Sequence, residues 1–472
     1  MNDFLARPHL FLPGVWLDGV TLVMLTLVGF IGFVILRFSR AYLHGDPGRP
    51  RYLRWLLATL TAVMVLILSS NLLVLVLAWM AASLALHQLL TFYADRTQAL
   101  VAAHKKFLVS RVADLCMLGA LALIGAQVGS LELADLYAWA GATPSLPAAM
   151  QGATVLLVLG VSLKSAQLPF HGWLLQVMEA PTPVSALLHA GVVNIGGFLM
   201  IRLAPLMVKA GLAQTLLVLI GTTTAVVAAL VMTTRVSVKV ALAWSTCAQM
   251  GFMLVQCGLG AYSLALLHLV AHSLYKAHAF LSSGSTVDQW RTQALVAKRE
   301  PVGLGRWFAA AGVALLAVTA VGAVSGASPR QEPASWALAA VMGLALTPLL
   351  VRGAGGGWRR LATVGLGALG VAALCFTWHA AFGQLLAAPA PGGALAPRLA
   401  LVIAGFGLLF VLQAVLHARP DGRLARTLYP RLFAGLYLDE VFTRLTFRLW
   451  PPRLPPHAPH GRPSPVIETL EA

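Results

Sequence analysis

The chain has 472 residues, 59% of them hydrophobic and only 10% charged, which is too little polar surface to coat a water-soluble globule of this size. Lys and Arg number 33 against 16 Asp and Glu, a formal net charge of +17; these cations fall between apolar stretches, so the excess reads as membrane topology and not as a nucleic-acid surface. Cys116, Cys247, Cys257 and Cys375 stand singly, without the Cys-x-x-Cys spacing of zinc, iron–sulfur or redox sites, and there is neither a Gly-rich phosphate loop nor a Gly-x-Ser-x-Gly turn.

Windows of about 20 apolar residues predict spans at 16–38, 53–70, 71–92, 107–127, 150–168, 184–208, 212–234, 240–258, 261–284, 305–325, 335–352, 360–380 and 398–418. The predicted fold class is an all-α polytopic membrane protein of about thirteen helices. The first 15 residues lack a basic head and a cleavage site, so the first span is expected to be retained. Alternate loops carry Arg40, Arg49 and Arg51; Arg96, Lys105 and Lys106; Arg235 and Lys239; Arg291, Lys298 and Arg299; and Arg352, Arg359 and Arg360. The opposite set holds Arg7, Lys209, Arg330 and Arg398 beside Glu132, Asp135 and Glu332. Because cations concentrate on the cytoplasmic side of bacterial membranes, the expected arrangement is an N-terminus outside and a C-terminus in the cytoplasm, in a bacterial inner membrane.

Composition divides the chain into an N-terminal segment (1–15), helices carrying polar residues (16–284), nearly pure Ala, Val, Leu and Gly helices that read as scaffold (285–418), and a basic, Pro-rich tail (419–472). In that tail Arg419, Arg423, Arg426, Arg431 and Arg444 alternate with Leu, Tyr and Phe. Such a segment suits either docking of a soluble partner or an amphipathic helix on anionic lipid.

An ionisable side chain in hydrocarbon costs several kcal/mol, so each one needs a partner, a watery cavity or the interface. Lys164 lies just before Pro169, where a helix break frees carbonyls that can hold water; a lysine held away from water exchanges its proton readily, whereas the plainer reading is a cap on a half-helix. His189 follows Pro181 and Pro183, which start the next helix, and either joins Lys164 in a relay or simply packs. His268, His272 and Lys276 recur every four residues on one helix face. That row suits water-linked proton transfer better than a metal, for which a third ligand is missing. Lys239, at the start of a span, either joins the path or snorkels. Arg111 and Asp114, at i and i+3, read as a structural ion pair near the surface.

These residues sit in Lys164-Ser-Ala-Gln-Leu-Pro, Pro181-Thr-Pro-Val-Ser-Ala-Leu-Leu-His-Ala, Ala243-Trp-Ser-Thr-Cys-Ala-Gln-Met-Gly and His272-Ser-Leu-Tyr-Lys-Ala-His-Ala-Phe. In that order they resemble the antiporter-like membrane subunits of respiratory complex I and of Mrp-type cation/proton antiporters, from about Trp16 to Gly284. The resemblance implies an antiporter-like fold with Pro-broken helices and a proton path through Lys164, His189, Lys239, His268, His272 and Lys276. Where the family carries a Trp-Glu pair this chain has Trp79-Met80, so the carboxylate that partners the lysine is not at that position. Between Gly303 and Val351 there is no membrane-centred lysine, and no long lateral helix is expected after the last span.

The shortened length and the ending from Arg426 onward resemble the DabB-type membrane subunits of inorganic-carbon accumulation complexes. What that implies is a transporter subunit without a cofactor of its own, conducting protons or cations to drive hydration of carbon dioxide in a cytoplasmic DabA-type zinc partner. A proton-translocating subunit of a complex I-like oxidoreductase or of an Mrp-type antiporter is the alternative, and a purely structural anchor a third.

Overall fold

Polar side chains cap the start of two of the helices. Asp18 accepts from Thr21 N at 2.7 Å and opens the Gly19–Tyr42 helix; Asn71 accepts from Leu73 N at 2.9 Å and opens Leu72–Leu90. At the same end of the molecule the Glu132 carboxylate takes Ser70 Oγ at 2.9 Å and Asn71 Nδ2 at 2.8 Å, tying three helix ends together. The computed structural model describes residues 14–176, 180–284, 302–326, 328–355, 357–383 and 395–451, and within them every regular element is a helix. The expected 1–15 segment, Arg291, Lys298, Arg299 and the Pro-rich residues beyond 451 lie almost wholly outside them.

Among the described residues, eleven helices are long and apolar enough to cross a membrane. Two of the thirteen expected spans do not meet that standard. Ala148–Lys164 has only 17 residues, about 26 Å at 1.5 Å per residue, and stops at Lys164 inside the protein. Tyr262–Leu281 interrupts its apolar run with His268, His272, Lys276 and His278.

The expected 184–208 span is in fact four pieces: Thr182–Ala190, the tight turn Val192–Asn194, Ile195–Arg202 and Ala204–Met207. Gly191, at φ −123° and ψ −74°, steps out of helical geometry, and Asn194 Nδ2 donates to Ala190 O at 3.0 Å and to Ser273 Oγ at 2.7 Å. A side-chain amide competing for helix carbonyls is what breaks the run.

Small residues set the tightest crossing. Gly211–Met232 and Val238–Gly258 cross at Gly221 and Gly251, where a Cβ on Gly221 would sit 2.5 Å from Gly251 O. In lipid, where apolar side chains gain nothing by leaving the solvent, such backbone approach is a principal source of helix association. The later helices Leu304–Val324, Pro333–Ala354, Gly357–Gly383 and Leu395–Ala418 form a second group with its own small cores. Arg398, expected in a loop, is instead buried on the last of these, donating to Gln214 Oε1 at 2.6 Å and Gly258 O at 3.0 Å.

The basic tail is folded as far as residue 449. Arg423–Phe433 and Leu438–Leu449 are two amphipathic helices folded back on the cation-rich end of the protein. Phe442 packs edge-on against Phe170 at 5.5 Å, and Arg235 Nη2 donates to Leu432 O at 2.9 Å.

Candidate functional site

Two helices and a break build the first part of the site. Thr97–Val128 carries Lys106, Arg111 and Asp114 along its buried side, and Ala148–Lys164 ends beside them. Lys164 Nζ lies 2.6 Å from Asp114 Oδ1, and Arg111 Nη2 lies 2.7 Å from Asp114 Oδ2. Both Lys164 and Asp114 side chains are 4% exposed, so this half of the cation–carboxylate–cation bridge is buried, while Arg111 reaches it from a partly exposed position. The Arg111–Asp114 pair is therefore present as expected, but it is no isolated surface pair, because its carboxylate also serves the lysine.

Trp79 lies 4.7 Å under the Lys164 ammonium, a cation–π contact, so the tryptophan of Trp79-Met80 keeps company with the lysine while the acid comes from a different helix. Lys106, assigned by sequence to a loop, is buried and donates to Ser83 Oγ at 2.8 Å and to Ser83 O.

Beyond Lys164 the chain runs irregularly through Pro169 to the short Gly172–Gln176 helix, and Pro181 stands at the start of the next one. Pro183 falls in the first turn of Thr182–Ala190, where its fixed φ starts the helix and does not break it. Lys239 donates to Thr182 Oγ1 at 3.1 Å, so it closes against this same break instead of reaching for lipid headgroups. His171 Nδ1 is 3.3 Å from Pro169 O and its ring meets Trp244 at 4.7 Å.

His189 is fully buried with its ring stacked on Phe280 at 4.4 Å, and neither ring nitrogen has a hydrogen-bond partner among the described residues. The His272 ring donates a hydrogen bond to the main-chain carbonyl of His189. His268 Nδ1 is 2.8 Å from Gln256 Oε1, and the His268 and His272 rings stand 5.9 Å apart, edge to face. Lys276, at the other end of the row, donates to Leu242 O at 3.0 Å. The structure thus brings the row of three together on one helix, places His189 against its middle, and puts Lys164 with Asp114 on a separate pair of helices. Among the described residues no group of three or more His, Cys, Asp or Glu side chains is arranged to hold a metal ion.

Sequence reasoning missed Lys105, Lys106, Asn194, Ser273 and Gln256 as members of the buried polar set, and Asp114 as the partner of Lys164.

The family described as NADH:quinone oxidoreductase/Mrp antiporter, transmembrane, matches residues 69–324, and that described as NADH-ubiquinone oxidoreductase (complex I), chain 5 N-terminus, matches residues 12–53. The chain belongs to this antiporter-like family of membrane proteins. It is 43% identical over 444 residues to a probable inorganic carbon transporter subunit DabB2 of Halothiobacillus neapolitanus, covering 93% of this chain and 80% of that protein. A probable inorganic carbon transporter subunit DabB of Hydrogenovibrio crunogenus is also 43% identical, over 95% of this chain and 86% of its own length. NADH-ubiquinone oxidoreductase chain 5 of Metridium senile is 38% identical over 58% of this chain and 46% of that protein. Among solved structures, the Mrp complex of a Dietzia species superimposes with a TM-score of 0.53 at 26% identity, over 92% of this chain and 48% of that one. The antiporter-like chain is accordingly a multi-pass membrane protein.

Proposed function

We propose that this chain is the membrane subunit of an energy-coupled inorganic-carbon accumulation complex in a bacterial inner membrane, with its N-terminus outside and its C-terminus in the cytoplasm. Protons, or a cation in their place, pass through it by way of Lys164, His189, Lys239, His268, His272 and Lys276. Their flow drives hydration of carbon dioxide to bicarbonate in a cytoplasmic DabA-type partner, which holds the zinc; the chain itself has no cofactor and no enzyme activity of its own.

The observation that carries the reading is the buried Asp114–Lys164 bridge in a chain whose relatives over four fifths of their length are named inorganic carbon transporter subunits. Asp114 supplies from the neighbouring helix the carboxylate that Met80 cannot, so the lysine keeps an acidic partner through which its protonation can be coupled. The rings of the histidine row are too far apart for direct hydrogen bonds, and water would bridge them.

Affinity purification of the tagged chain, followed by mass spectrometry of what accompanies it and growth at ambient carbon dioxide, tests the reading. Co-purification of a large soluble zinc protein and loss of growth in Lys164→Ala support it. Recovery of the chain with redox-complex or antiporter subunits instead would move it to the energy-converting oxidoreductases or cation/proton antiporters.

A further inference from the structure

Asp439 stands where three separate parts of the chain meet. Its Oδ1 pairs with Lys105 Nζ at 2.7 Å, and its Oδ2 accepts from Gln176 Nε2 at 3.0 Å. Lys105 is wholly buried, and its ammonium also reaches Thr443 Oγ1 at 2.9 Å, one turn further along the tail helix. The approach is so close that a Cβ on Gly172 would fall 1.4 Å from Asp439 Oδ1. Only glycine lets the carboxylate pass the backbone of the broken segment.

The groups around it form one electrostatic cluster. His171 and Gln176 face it from the broken segment and Lys105 from Thr97–Val128, while Arg235, in the turn before Val238–Gly258, faces the neighbouring Glu440. Within that cluster Lys105 has no exposed side-chain surface, whereas the Asp439 side chain is 22% exposed. The carboxylate therefore touches the buried cation on one side and the solvent on the other. Lys106, the next residue, turns to Ser83, and Asp114 lies eight residues on, about 12 Å along the same helix.

We propose that Asp439 is the proton-exchanging group at the cation-rich end of the path, delivered by the tail helix, an inference that rests on the proton-path reading above. In the exchange, the Lys105 ammonium gives its proton to the Asp439 carboxylate, leaving a neutral amine beside a neutral carboxyl group; the carboxyl group then releases that proton to water and becomes a carboxylate again. The reverse order loads Lys105. The tail helix is thus a working part of the conductor.

The test uses the full-length chain in its intact complex, reconstituted into vesicles with a pH-reporting dye inside, with flux measured under an imposed potential across a range of external pH. Asp439→Asn lowers flux at least tenfold, and Asp439→Glu restores most of it with a displaced pH profile. In both variants hydrogen–deuterium exchange of residues 438–449 stays as slow as in the wild type. Wild-type flux and pH profile in Asp439→Asn overturn the proposal. So does loss of flux accompanied by fast exchange in 438–449, because the carboxylate would then only tether the helix. Wild-type flux in Lys164→Ala overturns the proton-path reading and this inference with it, whereas a dead Lys164→Ala beside a normal Asp439→Asn removes this inference alone.

Discussion

Asp114 bridges Lys164 and Arg111, with its two oxygens 2.6 and 2.7 Å from the two cations, and no other carboxylate among the described residues pairs with either. Losing the carboxylate and losing the lysine are therefore not equivalent. Asp114→Asn leaves both cations without a counter-charge, whereas Lys164→Ala leaves Asp114 still paired with Arg111. Breaking a buried pair typically costs about 3–5 kcal/mol. Asp114→Asn is expected to fall in that range, and Lys164→Ala to cost clearly less, in thermal unfolding of the detergent-solubilised protein. Equal destabilisation by the two would contradict the bridge.

For His189 the packing and the chemistry can be separated. His189→Phe keeps a ring against Phe280, which the native ring meets at 4.4 Å, but removes both nitrogens. Transport is expected to be lost in His189→Phe and His189→Ala alike, with only the alanine variant losing stability, by roughly 2–4 kcal/mol for a buried ring removed. A conducting His189→Phe protein would mean that the ring merely packs.

The glycine crossing makes a purely structural prediction. A side chain at Gly221 meets Gly251 O at 2.5 Å from its first carbon, so Gly221→Leu must force the two helices apart. The expected result is failure to accumulate in the membrane, while Gly211→Leu, with open space at its Cβ, accumulates normally. Comparable levels of both proteins on an immunoblot would refute the crossing.

Orientation can be read with reporter fusions. Fusions after Arg51, Arg96 and Arg360 should report one compartment, the cytoplasm, and fusions after Leu133 and Arg330 the other. Agreement between any member of the first set and any of the second would break the alternation of loops.

Hydropathy made the long spans legible: the expected 212–234 and 305–325 match Gly211–Met232 and Leu304–Val324 closely, because an uninterrupted apolar run has little other use. The same averaging failed where polar residues enter a helix. The expected start at 107 missed ten residues of Thr97–Val128, since Lys105 and Lys106 depress the local hydropathy although both are buried. The fracture after Ala190 was hidden because Gly191 and Asn194 are each ordinary within membrane helices, and only the reach of Asn194 to Ser273 decides it. Asp114 was readable as the neighbour of Arg111, three positions away on the same helix, but its pairing with Lys164 spans 50 positions and follows from packing alone.

Removal of the tail is the sharpest test of its packing. A chain ending at Ala418 loses Asp439 and Thr443, the partners of the buried Lys105 ammonium. It is expected to be recovered at well below wild-type amounts, and Lys105→Met in the truncated chain should restore much of the loss by removing the stranded charge. Wild-type recovery of the truncated chain would mean that Lys105 finds another counter-charge.

That clasp also puts a clock on biogenesis. Lys105 leaves the ribosome 334 residues ahead of Asp439, an interval on the order of half a minute at bacterial rates of synthesis. Throughout it the nascent first half carries an interior cation whose counter-ion has not been made, and it must either keep that lysine hydrated at the membrane surface or stay loosely assembled. The Leu438–Leu449 helix is then the one that lets the much earlier Thr97–Val128 helix settle, so a chain terminated before it differs from one that carries it in its core and not merely at its end. Membrane quality-control proteases would have a physical basis for telling the two apart.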